Sequence, residues 1–460
     1  MSHADAAGAA ATGAVPFSQA ISRQPIRGWS IAAFAICMLV LICDGMDAQL
    51  LGIVAPKVIE DFGVDRGTFG LAMSAALVGF GLGSWGGGWL GDTIGRRWSL
   101  ALSTVVFSLA TIGASLAADV EQMAAWRLVG GLGFGGAYAT AITLAGDWLP
   151  DRWRSVGVTT MSVGTPAGGT VVGFMAPGLL EDYGWRGAFV IVGGLTLLVL
   201  LLIIFALREG PSFLLSRGKV EQAHKVAARV LDEPFTLAPE VHPTDLDGKS
   251  TGVFASTNTR FNIGVGLAFG SAALMAYGML NWGTTFLTAK GFGFELAAYA
   301  VSVGGITSIV SSILAGLLVQ KFGSRIVQLG LGVALAATLL VLLLKVNGMD
   351  ASSSSADQTL VVALFGLAAA LFSCAVASMY ALMTHGYPPS CRSAGIGFGI
   401  FMSRVGAVAA SLFGGTLIDM GDGSLAPYFG VLIAAAGLLA VATFVIDRHV
   451  PPARATRTAG

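Results

Sequence analysis

The sequence predicts an all-α membrane protein with twelve transmembrane helices in two pseudo-symmetric six-helix bundles and both termini in the cytoplasm. Its 460 residues are 55% hydrophobic but only 11% charged, and their mean hydropathy is +0.77. Apolar runs of about 20 residues, the length that crosses a bilayer, recur along the whole chain. Two charged motifs recur at matching places in its two halves. A soluble enzyme of this composition would aggregate, which excludes that class.

Each predicted span is a mostly apolar run. The twelve spans are 28–53, 67–90, 98–118, 121–146, 155–180, 186–207, 261–289, 295–319, 326–344, 359–384, 393–418 and 425–446. They divide the chain into an N-terminal tail (1–27), a first bundle (28–207), a cytoplasmic linker (208–260), a second bundle (261–447) and a C-terminal tail (448–460). Residues 219–230 of the linker have helical periodicity, which predicts a short helix along the cytoplasmic face.

Lysine and arginine are unevenly distributed over the predicted loops. With the N-terminus inside, 19 of the 26 lie in cytoplasmic segments and five lie in outer loops. Arg127 and Arg404 lie within spans. Because cytoplasmic loops carry an excess of these residues, the distribution predicts that both termini are cytoplasmic.

Two repeated motifs support the division into halves. Gly88 to Arg97 (GWLGDTIGRR) follows span two, and Gly316 to Arg325 (GLLVQKFGSR) follows span eight at an offset of 228. A second pair follows spans four and ten at an offset of 238: Pro150, Arg154 and Gly157 match Pro388, Arg392 and Gly395. Parallel halves of this kind are typical of transporters whose substrate site lies between the halves near mid-membrane.

Other classes of protein find little support in the composition. The 26 basic residues balance 26 acidic ones without a basic block, which argues against nucleic-acid binding. The four cysteines show neither metal-binding spacing nor a disulfide framework. No metal cluster, nucleotide motif or nucleophile constellation is evident, so we expect no cofactor, no metal and no enzymatic activity.

The motif from Gly88 to Arg97 resembles the GxLxDxxGRR signature of the major facilitator superfamily, with Thr93 where that family usually has a basic residue. Asp44-Gly45-Met46-Asp47 in span one resembles the D-G-x-D motif of the aromatic acid:proton symporters within it. The resemblance implies proton-coupled uptake of a benzoate-like, hydroxybenzoate or lignin-derived acid across a bacterial inner membrane. A monomer would suffice for this function.

Four full charges lie well inside predicted spans: Asp44, Asp47, Arg127 and Arg404. A charge near the bilayer centre costs about 2.5–3.5 kcal/mol even on the insertion scale, so these side chains should face the bundle interior and serve function. We expect Asp44, Asp47 or both to carry the coupled proton; the alternative is a structural ion pair with Arg127. Arg404 is the candidate for the substrate carboxylate, which a guanidinium can bind bidentately; the alternative is hydrogen bonding to backbone carbonyls.

Aromatic side chains are candidate walls of the substrate site. On span four, Arg127, Phe134 and Tyr138 share one helix face, where an aromatic substrate could stack. In the second half, Tyr277, Trp282 and Tyr380 are further candidates. Most membrane aromatics serve packing or the interface belt, so packing is the alternative for each of them.

The repeated motifs also predict a cytoplasmic gate. We expect the Asp92 carboxylate to bond the N-terminus of a neighbouring helix, and Arg96 and Arg97 to pair with acids across the two halves. The resemblance implies a latch that stabilises the outward-open state. The predicted gate residues are Gly88, Asp92, Gly95, Arg96, Arg97, Asp147, Arg154, His385 and Arg392.

Alternative functions remain open at this stage. An exporter, or a symporter of another small organic anion or of a sugar, would fit the same architecture. A membrane receptor or an uncoupled channel is the alternative outside transport. The repeat and the intramembrane carboxylates favour a coupled transporter, whose partners would be protons, a small aromatic carboxylate and lipid.

Overall fold

The computed structural model describes residues 15–22, 24–150, 163–231, 236–238, 253–350, 353–387 and 391–452, with Trp153, Gly157, Thr160 and Met161 between them. Long helices make up nearly all of it. They are α2 (Gly28–Phe62), α3 (Arg66–Ile94), α4 (Arg96–Ala114), α5 (Val120–Asp147), α6 (Gly164–Phe205), α9 (Thr259–Ala289), α10 (Phe294–Phe322), α11 (Ser324–Asn347), α12 (Ser355–Gly386), α13 (Arg392–Asp419) and α14 (Ala426–Val445). The short elements are β1 (Val15–Pro16), α1 (Phe17–Ser22), α7 (Pro211–Ser216), α8 (Val220–Ala227), β2 (Leu237–Ala238) and a 3-10 turn (Ser256–Asn258).

Eleven helices of the described chain are long and apolar enough to cross a membrane. The fifth, α6, covers residues 164–180 of the span predicted at 155–180 and residues 186–205 of the span predicted at 186–207. Its 42 residues would extend about 63 Å as one straight helix, twice the thickness of a bilayer core. The backbone leaves helical geometry at Gly184 (φ 66°, ψ 178°), so the two parts of α6 are joined without an intervening loop.

Glycine allows α3 and α5 to pack with their backbones nearly in contact. Gly79 and Gly83 of α3 lie against the carbonyls of Leu128 and Leu132, and Gly135 of α5 lies against the carbonyl of Phe80. A Cβ at any of these three glycines would collide with backbone. Helices in lipid associate through such close contacts because no hydrophobic force drives their interface.

The two halves meet through three helix pairs, α2 with α9, α3 with α13 and α6 with α10. We call the end of the bundle at which α2 begins and α14 ends the terminal end, and the opposite end the distal end. At the distal end, Arg66 of α3 forms an ion pair with Asp419 of α13 at 2.7 Å. Thr284 of α9 donates to the carbonyl of Gly52 in α2 at 2.6 Å. These contacts hold the distal ends of the halves together.

The short elements cover the terminal end of the first half. β1 pairs in parallel with β2, so the segment before α2 is held against the segment after α6. Phe17 packs edge-on against the fully buried Trp148, and Leu214 and Ala223 belong to the same apolar cluster. The helix predicted over 219–230 is present as α8, which begins one residue later and ends at Ala227; Gly218 precedes it in a left-handed conformation (φ 72°).

Substitution of Gly83 tests the close packing of α3 on α5. We expect Gly83→Val to lower the free energy of unfolding by about 1–3 kcal/mol, the usual cost of overpacking, because its side chain meets immovable backbone. The measurement is thermal unfolding of the purified protein in detergent. Gly81→Val is the matched control, since Gly81 is on α3 with open space around it. An equal loss in both variants would refute the packing argument.

Candidate functional site

Asp47 and Arg127 form an ion pair that is almost completely buried. Arg127 Nη1 of α5 donates to Asp47 Oδ2 of α2 at 2.6 Å, and the two side chains are 4% and 1% exposed. Thr111 of α4 donates to the other carboxylate oxygen at 2.8 Å. Three helices therefore converge on one carboxylate. Burial of the pair is tolerable because both charges are matched and hydrogen-bonded.

Asp44 lies one turn earlier on α2 and is 3% exposed. Its carboxylate accepts a hydrogen bond from Thr165 Oγ1 of α6 at 3.2 Å. Among the described residues, no cation forms an ion pair with it, although Arg404 and Arg127 are close enough to interact electrostatically. The two acids of span one thus occupy different environments: Asp47 has a cation as its partner, and Asp44 has a neutral hydroxyl.

Arg404 of α13 lies among aromatic side chains from both halves. Its Nη1 donates to the Tyr277 hydroxyl of α9 at 2.7 Å, and its guanidinium carbon lies 4.0 Å from the ring centre of Phe80 on α3. Tyr138 of α5 packs against Phe80 at 5.5 Å. Tyr138 and Tyr380 are within electrostatic range of the guanidinium. The alternative for Arg404, hydrogen bonding to backbone carbonyls, is not seen among the described residues; a tyrosine hydroxyl accepts its hydrogen bond instead.

The aromatic cluster around Arg404 lies deep in the bundle. Phe80 follows Arg66 by 14 residues and Arg404 precedes Asp419 by 15, which places both about 21–22 Å from the distal end. All four aromatics and Arg404 are nevertheless partly accessible, with Tyr380 38% exposed. The Arg404 cluster is therefore deep in the bundle and yet not fully buried.

Two predicted site residues lie elsewhere. Phe134 is 3% exposed and stacks on Phe107 at 4.7 Å, inside the core of the first half. Trp282 is fully buried and packs on Gly414, ten residues and about 15 Å along α13 from Arg404. Both rings thus lie apart from Arg404, because helix periodicity alone did not show which neighbour each face meets; their contact with substrate stays a prediction.

At the terminal end, Glu209 occupies the N-terminus of α4. Its Oε1 accepts from the backbone N–H groups of Arg96 (2.9 Å) and Arg97 (3.3 Å). Gly95 precedes them with φ 99°, and a Cβ there would strike the Glu209 carboxylate. Burial raises the pKa of Glu209, while these hydrogen bonds and Arg97 act in the opposite direction. The role at a helix N-terminus that the sequence predicts for Asp92 stays a prediction; the carboxylate seen in such a place is that of Glu209.

Arg96 and Arg97 bond within their own half. Arg96 forms an ion pair with Asp147, the last residue of α5. Arg97 donates to the carbonyls of Ile203 and Ile204 in α6. In this conformation, acceptors of the first half take up their donors. Pairing of these arginines with acids across the halves in the outward-open state stays a prediction.

Where the structure describes the remaining predicted gate residues, it gives a position but no contact that bears on gating. His385 is exposed in the last turn of α12. Gly88 and Asp92 belong to α3 and Arg392 begins α13. The side chains of Asp92 and Arg392, and the whole of Arg154, lie outside the described residues.

Sequence reasoning missed several residues that complete the site. Thr111, Thr165 and Phe80 carry no motif, and a threonine or phenylalanine in an apolar run gives no signal of its partner. Glu209 lies just after span six, in Glu209-Gly210-Pro211-Ser212. Its contact with the N-terminus of α4 needed the fold.

Residues 37–352, more than two thirds of the chain, match the family sequence model of the Major Facilitator Superfamily. The chain belongs to this superfamily. A crystal structure of a D-xylose-proton symporter shares the superfamily fold with a TM-score of 0.69 at 16% identity, over 93% of this chain and 99% of that one.

Curated relatives of this superfamily member carry the names of aromatic-acid transporters. The 4-hydroxybenzoate transporter PcaK of Pseudomonas aeruginosa is 28% identical over 87% of this chain and 89% of its own. The gallate transporter of Pseudomonas putida is 28% identical over 88% and 89%. The resemblance that the span-one motif indicated is thereby confirmed: this is a multi-pass membrane transporter similar to carriers of aromatic acids.

Removal of Arg127 tests the buried ion pair. We expect Arg127→Ala to lower the free energy of unfolding by about 3–5 kcal/mol, because it leaves the Asp47 carboxylate buried without a cation. The double variant Asp47→Asn with Arg127→Gln should be more stable than Arg127→Ala, because no charge is left buried. Unfolding of the purified protein in detergent measures both differences.

The control is the exposed ion pair of Arg186 and Asp61. Arg186 Nη1 lies 2.6 Å from Asp61 Oδ2, and the two side chains are 46% and 43% exposed. Arg186→Ala should cost about 0–1 kcal/mol, as is typical of surface pairs. If Arg127→Ala were no more damaging than Arg186→Ala, the Asp47–Arg127 pair would not stabilise the bundle.

Proposed function

We propose that this transporter takes up an aromatic monocarboxylate together with a proton, by alternating access across a bacterial inner membrane. The observation that carries the proposal is the set of four charges deep in the bundle: Asp44, Asp47 and Arg127 of the first half, with Arg404 of the second half within electrostatic range of Asp44. The names of the relatives support an aromatic acid as substrate, and the partly accessible aromatic side chains around Arg404 suit a planar ring.

The proposed topology has twelve crossings with both termini in the cytoplasm. The broken helix α6 supplies two of the crossings, with Gly184 at the outer turn. The excess of Lys and Arg in the segments at the terminal end supports its cytoplasmic placement. The distal end, with Arg66 and Asp419, then faces outside.

Asp44 is the proposed proton carrier. A carboxylic acid buried beside a neutral hydroxyl is more easily accommodated in its protonated form than as an unpaired anion. Asp47 is already compensated by Arg127, so its proposed role is to hold α2, α4 and α5 in register. Because Asp44 and Arg404 interact electrostatically, protonation of Asp44 removes a negative charge that competes with the substrate carboxylate for Arg404.

The conformation supports an assignment as the inward-facing state. Contacts between the halves run from the Arg404 cluster to the distal ion pair of Arg66 and Asp419. At the terminal end, Arg96 bonds within the first half, and Arg448 bonds Asn258 and the Gly386 carbonyl of the second. In this scheme, the distal contacts break in the outward-facing state, and new contacts form at the terminal end between the surfaces around Arg96 of the first half and Arg448 of the second.

Uptake measurements test the proposed function. Cells expressing the protein should accumulate labelled 4-hydroxybenzoate, gallate or benzoate, and a protonophore should abolish the accumulation. Asp44→Asn should lose accumulation against a gradient but keep exchange of internal for external substrate, because exchange needs no net proton movement. Asp61→Asn is the control, since Asp61 is an exposed partner of Arg186 near the distal end of α2.

Two results would contradict this function. Absence of uptake of every acid by well-expressed protein would favour export or another organic anion. Full protonophore-sensitive accumulation in Asp44→Asn would exclude Asp44 as the proton carrier.

The distal ion pair gives a test of the conformational scheme. We expect Arg66→Asp to repel Asp419 and to shift the population toward the state that is open at the distal end. The double variant Arg66→Asp with Asp419→Arg should restore the closed population, because it re-forms the pair in reverse. Spin labels on Glu60→Cys and Met420→Cys report the separation by pulsed electron paramagnetic resonance.

Lys345→Asp is the matched control for this charge reversal. Lys345 pairs with Asp357 inside the second half, at 3.6 Å. Its reversal should leave the label separation unchanged. Equal distance distributions in wild type and Arg66→Asp would show that the ion pair does not hold the distal end closed.

A further inference from the structure

The guanidinium of Arg404 is held on two sides and left without a partner on a third. Nη1 donates to the Tyr277 hydroxyl, and Phe80 covers one face of the group at 4.0 Å. Nε is buried and donates to no atom of the described residues. A buried donor that lacks an acceptor is unfavourable, so an arrangement that leaves Nε without an acceptor is maintained at a cost in stability.

The unpartnered Nε lies on the edge of the guanidinium that can bind a carboxylate with two hydrogen bonds. Nε and the adjacent Nη2 point in parallel directions and can donate two parallel bonds to the two oxygens of one carboxylate. Tyr277, by contrast, takes Nη1, on the other side of the group. The hydroxyl therefore leaves the bidentate edge free and fixes the rotation of the guanidinium plane.

The three groups come from different halves of the transporter. Arg404 and Tyr277 belong to α13 and α9 of the second half, whereas Phe80 belongs to α3 of the first. Phe80 also packs on Tyr138 of the first half, which fixes the ring that Arg404 rests on. The orientation of Arg404 thus depends on how the halves meet at this depth.

We propose that Phe80 and Tyr277 are positioning residues that hold Arg404 with its Nε edge presented to the substrate carboxylate, so that the carboxylate site is complete only when the two halves are in contact through Phe80. This inference rests on the proposed function and names the side chains that give its site affinity for an acid. It makes affinity for the substrate depend on the conformation of the transporter, because separation of α3 from α13 removes one support of Arg404.

The experiment combines uptake and binding of 4-hydroxybenzoate. Uptake into proteoliposomes under an imposed pH gradient gives KM and Vmax, and stabilisation of the detergent-purified protein against heat gives binding independently of transport. We expect Phe80→Leu to raise KM about 5–30-fold, as follows from a cation–π contact of about 1–2 kcal/mol. Tyr277→Phe should raise KM about tenfold, which corresponds to one hydrogen bond to a charged group. Vmax should change less than KM in both variants.

Conservative variants and a second ligand distinguish positioning from general damage. Phe80→Tyr keeps an aromatic face and should restore a KM within about twofold of wild type. In Phe80→Leu and Tyr277→Phe, the preference for 4-hydroxybenzoate over 4-hydroxybenzamide as a competitor should shrink, because only the acid uses the charged edge of Arg404. A variant that was merely misfolded would lose both ligands alike.

Two controls match the tested changes. Phe174→Leu removes another aromatic contact between the halves, with Tyr299 at 5.9 Å, but both rings are exposed on the outer surface and no arginine is involved. Tyr428→Phe removes a buried tyrosine hydroxyl that has no hydrogen-bond partner among the described residues. Both should leave KM within about twofold of wild type.

The outcomes separate this inference from the proposed function. Uptake by the wild type with unchanged KM in Phe80→Leu and Tyr277→Phe would overturn the positioning role alone. Binding that weakens in these two variants, without uptake by the wild type, would support the positioning role and overturn proton-coupled import. Wild-type protein that neither binds nor takes up the acid would overturn both.

Discussion

The need to compensate charge inside an apolar bundle governs this structure. Asp47 and Arg127 could not lie 4% or less exposed among helices in lipid unless each had the other. Their pair joins α2 to α5, and Thr111 adds α4, so one contact sets the relative position of three helices. Once Asp47 is satisfied in this way, Asp44 one turn away is left with Thr165 alone, and the two acids of one motif acquire different chemistry.

Glycine lets the helices approach closely enough for these polar contacts to form. A Cβ at Gly45 would collide with the backbone of Thr165, so only glycine between the two acids lets α6 approach α2 closely enough for the Thr165 hydroxyl to reach Asp44. The glycine of the D-G-x-D motif is therefore part of the acid's environment as much as the carboxylates are. The same principle acts between α3 and α5, where backbone contact places Phe80 and Tyr138 together beneath Arg404.

The sequence was sufficient for the superfamily, the helical class and the four intramembrane charges, because length, hydropathy and the cost of buried charge are local properties of the chain. It did not show the partners. Periodicity placed Phe134 and Tyr138 on one face of α5. A helix in a bundle contacts several neighbours around its circumference, however, and Phe134 packs against Phe107 rather than in the Arg404 cluster. Phe80 escaped notice for the same reason: nothing in the sequence of α3 tells which residue faces α13.

The two copies of the repeated motif also differ in how they compensate charge. Gly95 and Gly323 both have positive φ before a long helix. Within the described ranges, a carboxylate, Glu209, accepts from the helix N-terminus in the first copy and none does so in the second. In the second copy, where Gln320 replaces the acid, the C-terminal segment closes the turn with neutral groups: Ser324 N–H donates to the Val450 carbonyl, and Val450 N–H donates to the Ser324 hydroxyl. Among the described residues, Arg96 of this motif has its acidic partner, Asp147, inside the first half. A rearrangement that pairs these charges across the halves must first break contacts inside the first half, so its energetic cost falls mainly on that half.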